Sequence, residues 1–266
     1  MASEDQAPSA PDYSIVTEAG LDGTMFYPRR DWSPPPQNAE DITIPMGDGV
    51  NIGCRFYVSD RQMPTVLYFH GNGEVATFDY DEISLFYSGI GLNLFVADFR
   101  GYGVSDGIPT FADMMQDSHT IYTFFRDLLS SQQLSEQIYV MGRSLGAHSA
   151  VELAAHYPES LAGLIVESGA SSMERIADRL VEMGRADEGV ELASRHLTKI
   201  QSIKLPVLII HGAYDDLIPI TRAEEFHNIL TVTQKKLVTI PNAGHNDLLW
   251  VGRVEYFDEI SAFISN

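Results

Sequence analysis

The sequence predicts an α/β protein: a doubly wound, mainly parallel sheet of the eight-stranded type, entered through an N-terminal antiparallel hairpin and carrying a short helical lid insertion. Three observations predict it. Short apolar runs rich in β-branched residues recur at 65–69, 92–97, 138–141, 164–166, 207–210 and 237–240. Runs of this length without polar alternation are what strands covered on both faces look like. Segments of helical period separate them, at 80–89, 111–129, 145–156, 221–230 and 255–264, and strand–helix alternation builds parallel sheets. Ahead of them, residues 41–45 and 50–58 flank Met46-Gly47-Asp48-Gly49, an Asp-Gly hairpin signal between two β-rich runs.

Taken in order, the chain opens with an acidic stretch, residues 1–12, that reads as a loose end without a charged-then-apolar leader. The first forty residues are expected to be an irregular arm, because Pro34-Pro35-Pro36 breaks regular structure, with Met25-Phe26-Tyr27 packing onto the body. Residues 41–266 form the single domain that a chain of 266 residues allows. One stretch departs from the alternation. Residues 171–202 hold two helical segments where one would do, with Leu180, Met183, Val190 and Leu192 on apolar faces. The stretch is either a small lid over the carboxyl ends of the strands or an enlarged crossover.

Composition narrows the function. Against 17 basic residues stand 37 acidic ones, a net charge of −20, which repels phosphates and argues against nucleic acid or an anionic membrane surface as the main partner. No apolar run approaches the ~20 residues of a membrane span. The lone cysteine, Cys54, excludes an internal disulfide and fits a reducing compartment, so a cytoplasmic location is expected.

Chemistry concentrates in a few loops. Two stretches match G-x-S-x-G: Gly103-Val104-Ser105-Asp106-Gly107 and Gly142-Arg143-Ser144-Leu145-Gly146. Ser144 follows an apolar run and precedes a helical pattern, the strand–turn–helix context of a nucleophile elbow. Ser105 runs into Asp106-Gly107-Ile108-Pro109, which cannot open a helix at once. Ser144 is therefore the candidate nucleophile and Ser105 a loop residue. A serine hydroxyl needs a base and the base an orienter. His245, just past the last apolar run, is the candidate base. Asp215, after the run 207–210, is the candidate orienter, with Asp216 as its rival. Backbone oxyanion donors are expected at Leu145 and in His70-Gly71-Asn72-Gly73-Glu74, where Asn72 is preferred over Gly73.

No cofactor or metal is expected. His211 with Asp215 and Asp216 could suggest a metal, but His245 completes a triad better, and neither H-E-x-x-H nor C-x-x-C occurs. His148 and His156 are expected to pack or face solvent. Gly71, Gly73 and Gly101 do not make a dinucleotide fingerprint.

The order Ser144, Asp215, His245, together with His70-Gly71-Asn72-Gly73, the stretch from Asp98 to Ser105, and Gly244-His245, resembles the α/β-hydrolase superfamily over roughly residues 41–265. The details are most similar to the serine-aminopeptidase-type and depalmitoylase-like branch of small esterases. The resemblance implies a serine hydrolase that opens a carboxylic ester or thioester of a small-molecule acyl substrate through an acyl-enzyme on Ser144. It implies a structural role for Ser105. Lipid-anchored members carry a cysteine-rich N-terminus that is not found here, so membrane-bound substrates are not implied. Haloalkane dehalogenase and epoxide hydrolase chemistry is disfavoured, since those members use an aspartate at the Ser144 position. An amidase, aminopeptidase or acyltransferase would use the same residues, and a non-catalytic binding protein could share the fold.

Overall fold

The computed structural model describes residues 11–265. The expected loose acidic end therefore lies, except for Pro11 and Asp12, outside the described residues.

Eight strands form one sheet: β1 (Ala39–Pro45), β2 (Asn51–Tyr57), β3 (Thr65–Phe69), β4 (Asn93–Ala97), β5 (Ile138–Arg143), β6 (Gly163–Glu167), β7 (Val207–Gly212) and β8 (Lys235–Ile240). They lie in the order β1-β2-β4-β3-β5-β6-β7-β8. The β1–β2 hairpin turns at the Asp-Gly signal, β2 pairs antiparallel with β4, and the remaining pairs are parallel. Strands β3 to β8 follow the apolar runs in the sequence.

Side chains alternate between the two faces with period two. Leu67, Phe69, Phe95, Val140, Leu164 and Ile209 enter one core layer. Val66, Tyr68, Leu94, Val96, Met141, Ile165 and Leu208 enter the other. The first layer is covered by α1 (Ser14–Glu18), α3 (Phe111–Ser131), α4 (Ala147–His156), α5 (Glu174–Glu182), α6 (Ala186–Gln201) and α7 (Ile220–Ile229). The second is covered by α2 (Asp81–Gly89), α8 (Leu248–Val251) and α9 (Arg253–Ile264).

Strand order reverses beside β3: β4 lies on one side of it and β5 on the other. Open α/β sheets bind ligands in the crevice at such a switch point, outside the carboxyl ends of the strands. The loop after β3 and the turn after β5 meet at this place.

The described residues of the expected irregular arm, 11–40, are mostly irregular but not wholly so. They contain α1 and a 3-10 turn, Asp22–Thr24. Tyr13, Val16 and Phe26 are buried, whereas Tyr27 points outward at 68% exposure. A five-residue helix is too short to show a helical period in sequence and is held by what it packs against. The 171–202 stretch becomes α5 and α6, which pack on each other, with α6 also touching α4 and α7.

Candidate active site

Residue by residue, the site assembles from the ends of β3, β5, β7 and β8. Ser144 follows β5 directly and sits at φ +49°, in the left-handed region that L-residues avoid. Its neighbours make this turn possible by lacking side chains. A Cβ at Gly142 would lie 2.3 Å from the Gly146 carbonyl oxygen, and one at Gly146 would lie 2.1 Å from that of Phe69. The elbow is thus wedged against the end of β3. A 3-10 turn, Ser144–Gly146, leads into α4.

The structure brings the three distant side chains together. His245 Nε2 lies 3.0 Å from Ser144 Oγ, and His245 Nδ1 lies 2.8 Å from Asp215 Oδ2. The other Asp215 oxygen accepts the backbone N–H groups of Leu217 and Ile218, at 3.0 and 2.7 Å. Asp215 is buried and Asp216 is exposed. His211 Nε2 donates to the Ile218 carbonyl at 2.8 Å and lies 3.3 Å from Asp215 Oδ2. Burial holds the His211 ring below its ordinary pKa, so it stays neutral beside the carboxylate. Ser105 is buried and its Oγ accepts the Gly53 N–H at 2.9 Å.

The loop bearing His245 is tied down on both sides. Tyr214 N–H donates to the Ala243 carbonyl at 2.8 Å, and Gly244 N–H to Asp247 Oδ1 at 2.6 Å. Asn72 sits after β3 with both the nitrogen and the oxygen of its side-chain amide hydrogen-bonded. Its Nδ2 donates to the Met25 carbonyl at 2.7 Å, and its Oδ1 accepts from Tyr27 N–H at 2.9 Å and Tyr102 O–H at 2.5 Å. The N-terminal segment therefore braces the loop that carries the candidate oxyanion donor. Beneath that loop, buried His70 reaches Asp98 at 3.1 Å.

One residue of the site escaped the sequence reading. Arg143, the variable position inside the elbow motif, is buried and joins four partners. It meets Glu74 at 2.5 Å, Glu167 at 3.2 Å, the His245 carbonyl at 2.9 Å and Asn246 Oδ1 at 3.1 Å. Burial opposes its charge, but Glu74 and Glu167 outweigh that and hold the guanidinium well above its ordinary pKa. Glu74 in turn accepts the Gly71 N–H at 2.7 Å and the Tyr80 hydroxyl at 2.6 Å. Arg143 thus couples the β3 loop, the elbow, β6 and the His245 loop. The only signal for it in the sequence was a charged residue at the end of an apolar run. A cavity of about 80 Å³ beside this network is lined by Tyr68, Glu74, Arg143, Glu167 and His245, among others.

The family model described as "Serine aminopeptidase, S33" matches residues 60–183 and 174–249, most of the chain. The chain belongs to this family of α/β-hydrolases. Among its relatives, α/β-hydrolase domain-containing protein 17B of Homo sapiens is 29% identical over 97% of this chain and 88% of its own length. Protein bem46 of Schizosaccharomyces pombe is 29% identical over 78% of this chain and 69% of its own. In three dimensions the S33-family chain is similar to the Pyrococcus furiosus esterase Pf2001, with a TM-score of 0.72 at 20% identity, covering 90% of this chain and 98% of that one. Est1E from Butyrivibrio proteoclasticus, solved with ferulic acid bound, gives 0.70 at 20% identity over 85% and 100% of the two chains. These likenesses establish the α/β-hydrolase fold, and membership of the family makes the protein a hydrolase. Among the described residues no helix is long and apolar enough to cross a membrane.

Proposed function

We propose that this chain is a serine hydrolase that cleaves a carboxylic ester or thioester through an acyl-enzyme on Ser144. One observation carries the reading: a single imidazole, His245, bridges the Ser144 hydroxyl at 3.0 Å and the Asp215 carboxylate at 2.8 Å.

In this reading His245 Nε2 takes the Ser144 proton as Oγ attacks the substrate carbonyl. His245 Nδ1–H points at Asp215, which fixes the tautomer and stabilises the imidazolium that forms. The backbone N–H groups of Leu145 and Asn72, with Gly73 as the alternative to Asn72, receive the developing oxyanion. His245 returns the proton to the leaving group, and water then releases the acyl group. Residues 41–266 are the catalytic domain, residues 1–40 an N-terminal arm whose Met25 and Tyr27 brace Asn72, and residues 171–202 a small lid. The substrate is a small acyl compound and the working compartment the cytoplasm.

The test is turnover of short p-nitrophenyl esters and thioesters, with fluorophosphonate labelling. Ser144→Ala is expected to abolish labelling and lower kcat by about 10⁵-fold or more, with the melting temperature nearly unchanged. Equal labelling of variant and wild type removes the reading. The description of the family favours a second bond class. Turnover of aminoacyl p-nitroanilides exceeding that of esters would make the enzyme an aminopeptidase with the same three residues.

A further inference from the structure

A second cluster of histidines lies away from Ser144. Glu152 and His156 sit on α4, eight and twelve residues beyond Ser144, about 12 and 18 Å along a helix that rises ~1.5 Å per residue. His119 comes from α3, against which α4 packs. We propose that His119, Glu152 and His156 form a binding site for a borderline divalent transition-metal ion, Zn²⁺ foremost, that clamps α3 to the helix starting at the elbow.

The geometry carries this. One ligand atom from each of the three residues lies within 4.8 Å of the other two. His119 Nε2 is 3.2 Å and His156 Nδ1 3.1 Å from the same carboxylate oxygen, Glu152 Oε1. Metal–ligand bonds of about 2.0–2.1 Å in a tetrahedron put neighbouring donors about 3.3 Å apart, so these two edges already have the required length. Glu152 and His156 share a helix face because they are four residues apart.

The surrounding groups orient the ligands. His119 Nδ1 lies 3.0 Å from the Tyr157 hydroxyl, and this contact turns Nε2 toward Glu152. Lys199 donates to the far oxygen, Glu152 Oε2, at 2.5 Å and leaves Oε1 to face the two rings. His156 Nδ1 also lies 3.2 Å from the Glu152 carbonyl, a contact it gives up to the ion. The His156 side chain is 42% exposed, so an ion can enter from solvent and water can complete its shell.

The donor set selects the ion. Two imidazole nitrogens and one carboxylate oxygen suit Zn²⁺, Co²⁺ or Ni²⁺, while Mg²⁺ and Ca²⁺ need more oxygen ligands. The positive charge of Lys199 beyond the carboxylate further disfavours an ion held by charge alone. The histidines stand 37 residues apart in sequence, on different helices, so no spacing motif announces the site.

The experiment uses the full chain after treatment with EDTA. Calorimetric titration with Zn²⁺ is expected to show one equivalent bound, and Zn²⁺ at a hundredfold excess over Kd to raise Tm by about 5–8 °C. Mg²⁺ and Ca²⁺ leave Tm unchanged, and Co²⁺ gives the visible absorption of a tetrahedral complex. His156→Ala, at a partly exposed position where folding is easily kept, and His119→Gln each weaken binding at least tenfold. His245→Ala keeps the full shift. Equal affinity in His156→Ala and wild type overturns the proposal, as does the absence of any shift with Zn²⁺. Loss of the shift in His245→Ala would move the ion to the other histidine–carboxylate set and also overturn it.

Discussion

At Ser144 a non-glycine residue is held at φ +49°, a conformation that costs roughly 1–2 kcal/mol and persists only where surroundings enforce it. The enforcement is steric. Gly146 lies so close to the end of β3 that a Cβ would meet the Phe69 and His70 carbonyl oxygens at 2.1 and 2.7 Å. Those are backbone atoms and cannot turn aside. Gly146→Ala is therefore expected to destabilise the protein by about 2–4 kcal/mol and to shift the Asn72 loop, lowering kcat as well. Gly23→Ala, where a Cβ meets nothing within 4 Å, serves as the control and stays within ~0.5 kcal/mol. If the two variants melt alike in denaturant titrations, the wedge is not what holds the elbow. The same scale separates Asp215 from Asp216. Adjacent in sequence, one is buried with both oxygens engaged by His245, Leu217 and Ile218, and the other faces solvent.

Between elements, one side chain sets the register of the site. The β3 loop, β5, β6 and the loop after β8 have separate places in the fold, and Arg143, at the end of β5, is bonded to residues of the other three. Replacing it with methionine leaves Glu167 buried without its counter-charge, at a cost of about 3–5 kcal/mol. It also frees the His245 carbonyl. Arg143→Met is expected to lower kcat more than it raises KM, because the imidazole loses its placement rather than the substrate its contacts. Arg143→Lys keeps the charge but cannot span four partners, so an intermediate kcat is expected. A KM effect with unchanged kcat would argue that Arg143 contacts substrate instead.

Across the whole molecule, a chain of buried polar groups runs from α6 through the N-terminal segment to α4. His196 Nδ1 meets the Tyr13 hydroxyl at 2.9 Å, Tyr13 receives Lys199, and Lys199 pairs with Glu152. Burial, followed by the charge of Lys199 and the neighbouring His148, pushes His196 well below its ordinary value of 6.5. The sign follows directly. The folded ring stays neutral while the unfolded ring takes up a proton below pH 6.5, so this contribution is complete above that pH and is lost as pH falls below it. Urea unfolding at pH 7, 6 and 5 is expected to show wild type losing stability more steeply than His196→Leu as pH falls below 6.5. Parallel slopes would show that His196 is protonated in the native state.

The apolar runs, the helical periods and the Asp-Gly turn determine the α/β layering, because burial on two faces leaves a pattern in any strand that experiences it. The elbow motif between a strand and a helix, and the positions of His245 and Asp215 just past apolar runs, were legible for the same local reason. The short α1, the bracing of Asn72 by residues 25–27, the fourfold grip of Arg143 and the meeting of His119 with Glu152 and His156 were not. Each depends on contacts between residues far apart in the chain, and a sequence records which side chains exist but not which distant ones meet. Only the packed sheet, with its order reversing beside β3, decided that a hydroxyl, an imidazole and a carboxylate share one crevice.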